Sequence, residues 1–251
     1  MAKDDDFLIR VTALTKYFKS IQAVKGISFD VKRGTTVALL GPNGAGKTTT
    51  LCMLMSILTP TSGSIEMFGH DLETERYRIL PRINYASPYI DLPWNMRVVD
   101  ILKVYGCFYN VGNFGERLKK LARDLKIEGF MDRRFGRLSA GQKTRVSLVK
   151  GLLNSPEILL LDEPTASLDP ETSDFIRDYI EKLQAETEMT VVMASHNMAE
   201  VERMAKTVII MKDGKIMEEA APSTLIRKFG RKTMEDVFLA IAKDETGMPV
   251  A

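Results

Sequence analysis

Apolar and polar positions change rhythm several times along this chain. Over residues 7–31 they alternate, with Leu8 and Val11 and then Ile27, Phe29 and Val31 as the apolar set, which predicts antiparallel strands joined by a TKYFKS loop. Val37–Leu40 is instead uniformly apolar, the pattern of a strand buried on both faces. The segment behind it predicts a helix running to about Leu58, then a TPTSG turn and a short SIEMFG strand. From Asn84 to Pro93 the sequence NYASPYIDLP reads as loop, and apolar residues then recur at helical spacing over Val98–Tyr109 and Leu118–Ile127. Residues 87–155 are therefore expected to form a helical lobe.

Alternation of strand and helix patterns resumes after that lobe. Strands are predicted at Ile158–Leu161, Thr190–Ala194 and Val208–Met211, separated by helices over 171–185 and 197–205, and Asp213-Gly214 turns the chain back into Lys215–Met217. Two further helices, Ser223–Phe229 closed by Gly230 and Thr233–Ala242 opened by a Thr233-x-x-Asp236 cap, end the pattern. The sum is an α/β protein with a mainly parallel sheet, an N-terminal antiparallel β part and an inserted helical lobe. We expect one domain over 1–220 and a helical extension over 221–251.

Composition narrows the class of partner. The 251 residues carry Lys+Arg 35 against Asp+Glu 33, a balance that gives no general reason to expect nucleic acid as a partner. Cys52 and Cys107 are far apart and lack metal-ligand spacing, and the start MAKDDDFLIR has no apolar signal core, so a reducing cytoplasm is the expected setting. No apolar run approaches the roughly 20 residues needed to cross a bilayer. If the chain works at a membrane, another chain spans it.

The candidate chemistry begins in VALLGPNGAGKTTT, residues 37–50. Gly41 and Gly44 are expected to let the backbone curl so that successive N–H groups point inward, and the helix starting near Lys47 aims its positive end at the same place. Lys47 would reach the β- and γ-phosphates of a nucleotide and the Thr48 hydroxyl would ligate Mg²⁺, the G-x-x-x-x-G-K-[ST] pattern. The plain alternative is a strand-turn-helix in which Lys-Thr is coincidental. A second apolar strand ends in two acids, Ile158-Leu-Leu-Leu-Asp-Glu163. Asp162 would hold Mg²⁺ and Glu163, one residue on, could polarise an attacking water.

With these segments in hand, the chain resembles the nucleotide-binding subunit of an ABC transporter over nearly its whole length. GPNGAGKTT matches Walker A, LSAGQ (Leu138–Gln142) the family signature, ILLLDEP Walker B, ASLD (Ala166–Asp169) the D-loop, and His196 the switch histidine. The resemblance implies ATP and Mg²⁺ as cofactors. It implies ATP contacts from Gly41, Pro42, Asn43, Gly44, Ala45, Gly46, Lys47, Thr48 and Thr49, and adenine stacking on Phe18, with Tyr17 as the neighbour that could replace it and ordinary packing as the alternative. It further implies that Glu163 and His196 carry the catalytic roles and that Ser167, Leu168 and Asp169 form the D-loop. Leu138, Ser139, Ala140, Gly141 and Gln142 would act on the ATP of a second copy in a head-to-tail dimer, because the start of the signature helix is another anion site. Ala140 stands where the family usually has glycine.

One departure bears on metal binding. The family's glutamine before the helical lobe is absent: ungapped counting puts Pro88 in its slot, and Ser87 is the nearest side chain able to ligate a metal or hold a water. Tyr89, Leu92 and Trp94 nearby would either form a patch for a membrane partner or pack beneath the lobe. The tail containing TMEDVFLAIA is similar to that of ATPase subunits of ABC-2 type exporters. The resemblance thus implies a peripheral subunit on the cytoplasmic face of the cell membrane that drives a separate transmembrane permease. A soluble ABC ATPase acting on nucleic acid or ribosomes is the alternative, and a small-molecule P-loop kinase is disfavoured by LSAGQ and the D-loop.

Overall fold

The computed structural model describes residues 7–89, 92–166 and 168–242 and divides the chain into two compact units, Met1–Ile79 with Thr190–Ala251 and Leu80–Met189. The expected lobe at 87–155 lies inside the second unit, which also takes in the strands and helix around Walker B.

In the first unit, β1 (Phe7–Phe18) and β2 (Ile21–Lys32) form an antiparallel hairpin, with β4 (Ser62–Met67) on the other edge of β1 and β5 (His70–Asp71) beyond it. TKYF is strand rather than loop: Phe18 pairs with Ile21, and only Lys19 and Ser20 turn, with Lys19 at φ 53°. The polar residues misled the reading because this stretch lies at the exposed end of the hairpin, where pairing does not require apolar side chains. The second sheet of this unit is built on β3 (Thr36–Leu40), every residue of which is buried. Its parallel neighbours are β8 (Thr190–Ala194) and β9 (Thr207–Lys212), and β10 (Lys215–Ala220) pairs antiparallel with β9 after the Asp213-Gly214 turn.

Helix α1 (Lys47–Leu54) follows β3 and ends earlier than expected, because the chain turns at Met55 and Ser56 stands at φ 56°. The short α2 (Arg76–Ile79) follows β5. Helices α7 (Met198–Met204), α8 (Pro222–Lys228) and α9 (Met234–Ala242) complete the unit. The Thr233 cap forms as read: the Asp236 N–H donates to Thr233 Oγ1 at 3.2 Å, and that hydroxyl donates to the Asp236 carboxylate at 2.9 Å. The extension is docked as well, since the Met234 N–H donates to Glu202 Oε1 at 2.6 Å.

The second unit holds the parallel pair β6 (Ile83–Ala86) and β7 (Ile158–Asp162). Asn84–Ala86 is therefore strand where loop was expected. Four residues are too few to display a period, and the Asn84 side chain is tied to Asn154 at 2.8 Å. Helices α3 (Val98–Phe108), α4 (Phe114–Asp124) and α5 (Ala140–Leu152) lie between the two strands in sequence, and α6 (Pro170–Thr187) follows them. Each presents an apolar face to the core: Val98, Ile101 and Leu102 from α3, Leu118 and Leu121 from α4, Val146, Val149 and Leu152 from α5, and Ile176 and Ile180 from α6 are all buried.

Candidate functional site

In the first unit the glycine-rich turn leaves the end of β3 and enters α1. Gly44 and Gly46 have φ of 83° and 102°, conformations that side chains resist, so these two make the curl. Gly41 serves differently from the expectation: a Cβ there would stand 2.3 Å from the Met211 carbonyl oxygen, and its role is close approach to β9. The loop closes on itself through the Ala45 N–H on the Pro42 carbonyl (3.1 Å) and is pinned by the Gly214 N–H on the Ala45 carbonyl (3.2 Å). The first turn of α1 then presents N–H groups that no carbonyl within the helix accepts.

Lys47 is only 8 % exposed and folds over the turn, with Nζ donating to the Gly41 carbonyl at 2.6 Å and the Pro42 carbonyl at 3.2 Å. A cation held inside a ring of backbone, at the start of a helix, is suited to a polyphosphate. The loop faces a cleft of about 650 Å³ lined by Asn43 to Thr49, by Phe18, Ile21, Gln22 and Ala23 of the hairpin, by Lys25, and by Asp213. Phe18 is 43 % exposed and belongs to this wall; Tyr17, similarly exposed, is absent from it. The cradle, the fixed cation and an exposed ring on one cleft fit a nucleotide. His196 belongs to the same unit. It follows β8, and the Ser195 N–H donates to the Leu39 carbonyl at 3.3 Å, so the histidine leaves the sheet beside the end of β3 where the phosphate loop begins.

In the second unit β7 carries Asp162, buried at its end, and Glu163, which the backbone holds at φ 53°. A non-glycine residue in the left-handed region costs roughly 1–3 kcal/mol and often marks a functional turn. The signature opens α5 as a complete capping box: the Gln142 N–H donates to Ser139 Oγ at 3.3 Å, and Gln142 Oε1 accepts the Ser139 N–H at 3.1 Å. Leu138 is buried, while Ser139 and Ala140 are exposed. Asp169 caps α6 in turn, accepting the Thr172 N–H at 2.8 Å, and that bond holds its carboxyl below the usual carboxylate range. Gly141 faces this cap: a Cβ there would meet Thr172 Cγ2 at 3.3 Å and Leu168 Cδ2 at 3.8 Å, so signature and D-loop are packed together. Ser167 lies outside the described residues.

Ser87 is 3 % exposed, its hydroxyl accepts the Tyr89 N–H at 3.2 Å, and its peptide is held on both sides by the Ser147 hydroxyl. The side chain shapes a turn against α5. Of the aromatic cluster beyond it, Tyr89 and Trp94 are exposed and Leu92 is buried; Trp94 also carries the Lys143 ammonium 4.2 Å above its ring.

Three features escaped the sequence reading. The Tyr85 phenol donates to Asp162 Oδ2 at 3.3 Å. Lys150 is buried on α5, its ammonium 2.7 Å from the Tyr85 carbonyl. Ser195 and Glu200 form a buried hydrogen bond of 2.6 Å next to His196, and Ser195 Oγ also accepts the Asn197 N–H at 3.0 Å, fixing the chain on both sides of the histidine. A tyrosine in a strand, a lysine in a helix and a serine beside a histidine have no spacing signature that separates them from surface residues.

The family model described as ABC transporter matches residues 24–166, more than half of the chain and from β2 to the D-loop. The chain belongs to the ABC transporter ATP-binding family. It is 33 % identical over 213 residues to the Nod factor export ATP-binding protein I of Burkholderia lata, covering 84 % of this chain and 70 % of that one. It is 35 % identical over 233 residues to the bacitracin transport ATP-binding protein BcrA of Bacillus licheniformis, covering 91 % and 74 %. Among solved structures, a bacterial ABC transporter cassette in dimeric form superimposes with a TM-score of 0.79 at 26 % identity, over 85 % of this chain and 98 % of that one. This ABC ATPase thus binds ATP and has the cassette fold of transporter ATP-binding subunits.

Proposed function

We propose that this ABC ATPase powers an exporter: it dimerises head to tail on ATP, hydrolyses it, and drives a separate transmembrane permease from the cytoplasmic face of the membrane. The observation that carries the dimer is that one chain has two ends built for anions, the Lys47 cradle in one unit and the capped start of α5 in the other. A second copy lets each end serve the same nucleotide, and two-fold symmetry doubles the site. Export rests on relatives named for Nod factor export and bacitracin transport. A separate permease is part of this reading, supported by relatives named as ATP-binding proteins of export and transport.

In this mechanism the N–H groups around Gly44 to Thr48 and the Lys47 ammonium hold the triphosphate, and Phe18 stacks on the adenine. Mg²⁺, when bound, neutralises charge on the phosphate oxygens. Among the described residues no three His, Cys, Asp or Glu side chains gather in metal-binding fashion. Thr48 in one unit and Asp162 in the other each offer an oxygen of the kind Mg²⁺ takes where it keeps phosphates and waters as ligands. Glu163 accepts a proton from the attacking water, and His196 contacts the γ-phosphate. Ser139 and Gly141 of the second copy close the site from outside.

The test is Glu163→Gln. Losing the base should slow hydrolysis by about 10²-fold or more while ATP still binds. Sedimentation of this variant should show a dimer with Mg-ATP and a monomer without it. Parental turnover would remove Glu163 from the mechanism, and a monomer at saturating ATP would remove the dimer.

A further inference from the structure

Helix α5 starts with the signature and is fastened at its middle to strand β6. The Ser147 hydroxyl donates to the Ser87 carbonyl at 2.9 Å and accepts the Ser87 N–H at 3.3 Å. One turn later Lys150 Nζ donates to the Tyr85 carbonyl at 2.7 Å. Gly151 permits this closeness, since a Cβ there would stand 3.2 Å from Ala86 Cβ and 3.4 Å from the Tyr85 oxygen. The other end of Tyr85 reaches Asp162 Oδ2 at 3.3 Å. Contacts therefore run without a break from the signature helix, through one peptide and one phenol, to the Walker B carboxylate.

Packing alone does not call for a lysine at this point. An apolar side chain of similar length would fill the slot without stripping water from the ammonium of a residue that is 5 % exposed, its Nζ 5.5 Å from the Tyr105 ring. What the lysine adds is a donor. Strand β6 ends the order of its sheet, so among the described residues no further strand lies on its outer side.

We propose that Lys150 and Tyr85 are positioning residues for ATP hydrolysis, Lys150 fixing the Tyr85 peptide and the Tyr85 phenol fixing Asp162, so that the signature helix and Walker B carboxylate move as one piece. The relay rests on the proposed metal-holding role of Asp162. It links the lobe to the site in a chain whose glutamine slot holds Pro88.

The experiment uses the full chain and four variants, Lys150→Met, Lys150→Arg, Tyr85→Phe and Lys150→Met/Tyr85→Phe, with Asp162→Asn as control. Lys150→Met and Tyr85→Phe should each lower kcat by about tenfold, a fraction of what a 1 Å displacement of a catalytic group can cause. Mg-free ATP affinity by calorimetry should stay at the parental value, while the Mg²⁺ concentration that half-saturates ATP binding should rise. Lys150→Arg, which keeps a donor, should recover kcat to within about twofold, and the double variant should be no slower than the slower single one, as expected of residues acting through one contact. Parental kcat and Mg²⁺ dependence in Tyr85→Phe would overturn the relay even if Lys150→Met failed to fold, because the phenylalanine keeps ring and peptide. Multiplying losses in the double variant would overturn it as well. Asp162→Asn separates the two ideas: if it keeps parental Mg²⁺ dependence the role of Asp162 is wrong, whereas if it loses that dependence and Tyr85→Phe does not, only the relay falls.

Discussion

A buried ammonium leaves a thermodynamic trace. Desolvation pulls Lys150 down from the ordinary lysine range to about 8. A shift of that size corresponds to a native-state penalty on the order of 3 kcal/mol for the charged form. Between pH 8 and the usual lysine range the unfolded chain binds the proton that the native chain has released, so stability rises with pH there. Tyr109 and Tyr179, both raised to about 12 by desolvation, act in the opposite sense, but only above pH 10 where unfolded phenols ionise. The parental chain should therefore gain stability between pH 7.5 and 9.5 in urea titrations. In Lys150→Met the gain should shrink; equal gains in the two chains would mean that Lys150 is not desolvated as the structure has it.

Two other residues carry predictions of their own. Because Lys47 Nζ is bonded to the Gly41 and Pro42 carbonyls, Lys47→Ala removes the cation for phosphate and also two bonds that shape the loop. ATP affinity and turnover should both collapse in calorimetry and kinetic assays, accompanied by a stability loss of about 1–3 kcal/mol from the uncapped carbonyls. Unchanged ATP affinity would count against the cradle. Ser87→Ala removes the turn bond to the Tyr89 N–H; if that bond is the whole role of the hydroxyl, hydrolysis should fall less than about twofold, about 0.4 kcal/mol of barrier. A tenfold loss would restore Ser87 to the metal site.

At the scale of elements, what could be read from the sequence was what repeats or punctuates. The apolar blocks of β3, β7 and β8 are buried on both faces and show as unbroken runs, and the Thr233 cap shows as a short polar signal before a helix. The phosphate loop was legible because its glycines and lysine are required by backbone geometry and charge. Strand β6 was not, since its four residues are held by pairing with β7 and by Asn154 and Lys150, contacts that come from far along the chain. Tyr85 and Glu200 were hidden for the same reason: their partners are set by tertiary contact and not by spacing.

The signature helix offers a direct test of an element-level cap. Ser139→Ala removes the half of the capping box at the start of α5 in which Ser139 Oγ accepts the Gln142 N–H, and leaves the backbone N–H of residue 139 free to donate to Gln142 Oε1. The loss should be about 1 kcal/mol of stability, read from the urea midpoint. The ATP-induced dimer should weaken far more than the fold does, because the same hydroxyl is proposed to face the partner's phosphate. A variant that loses stability yet dimerises like the parent would make Ser139 a cap and nothing else.

At the scale of the whole molecule, head-to-tail pairing makes a prediction that no single-chain site can make. A Lys47→Ala chain has a ruined cradle but an intact signature, and a Ser139→Glu chain has the reverse, its new carboxylate repelling the phosphate it should cap. Each homodimer is inactive at both sites. In a mixed dimer both defects fall into one composite site, and the other is assembled from two intact halves. Random pairing of equal amounts leaves about a quarter of all sites whole in a two-fold dimer. Mixing two silent preparations should therefore restore about a quarter of the parental ATPase rate, provided one intact site turns over by itself. If the mixture stays silent, adding Glu163→Gln to both chains and sedimenting them with Mg-ATP tells whether mixed dimers form. Mixed dimers that form without activity would mean that hydrolysis needs both sites. Failure to form them, with both chains folded, would mean that cradle and signature do not meet across two copies.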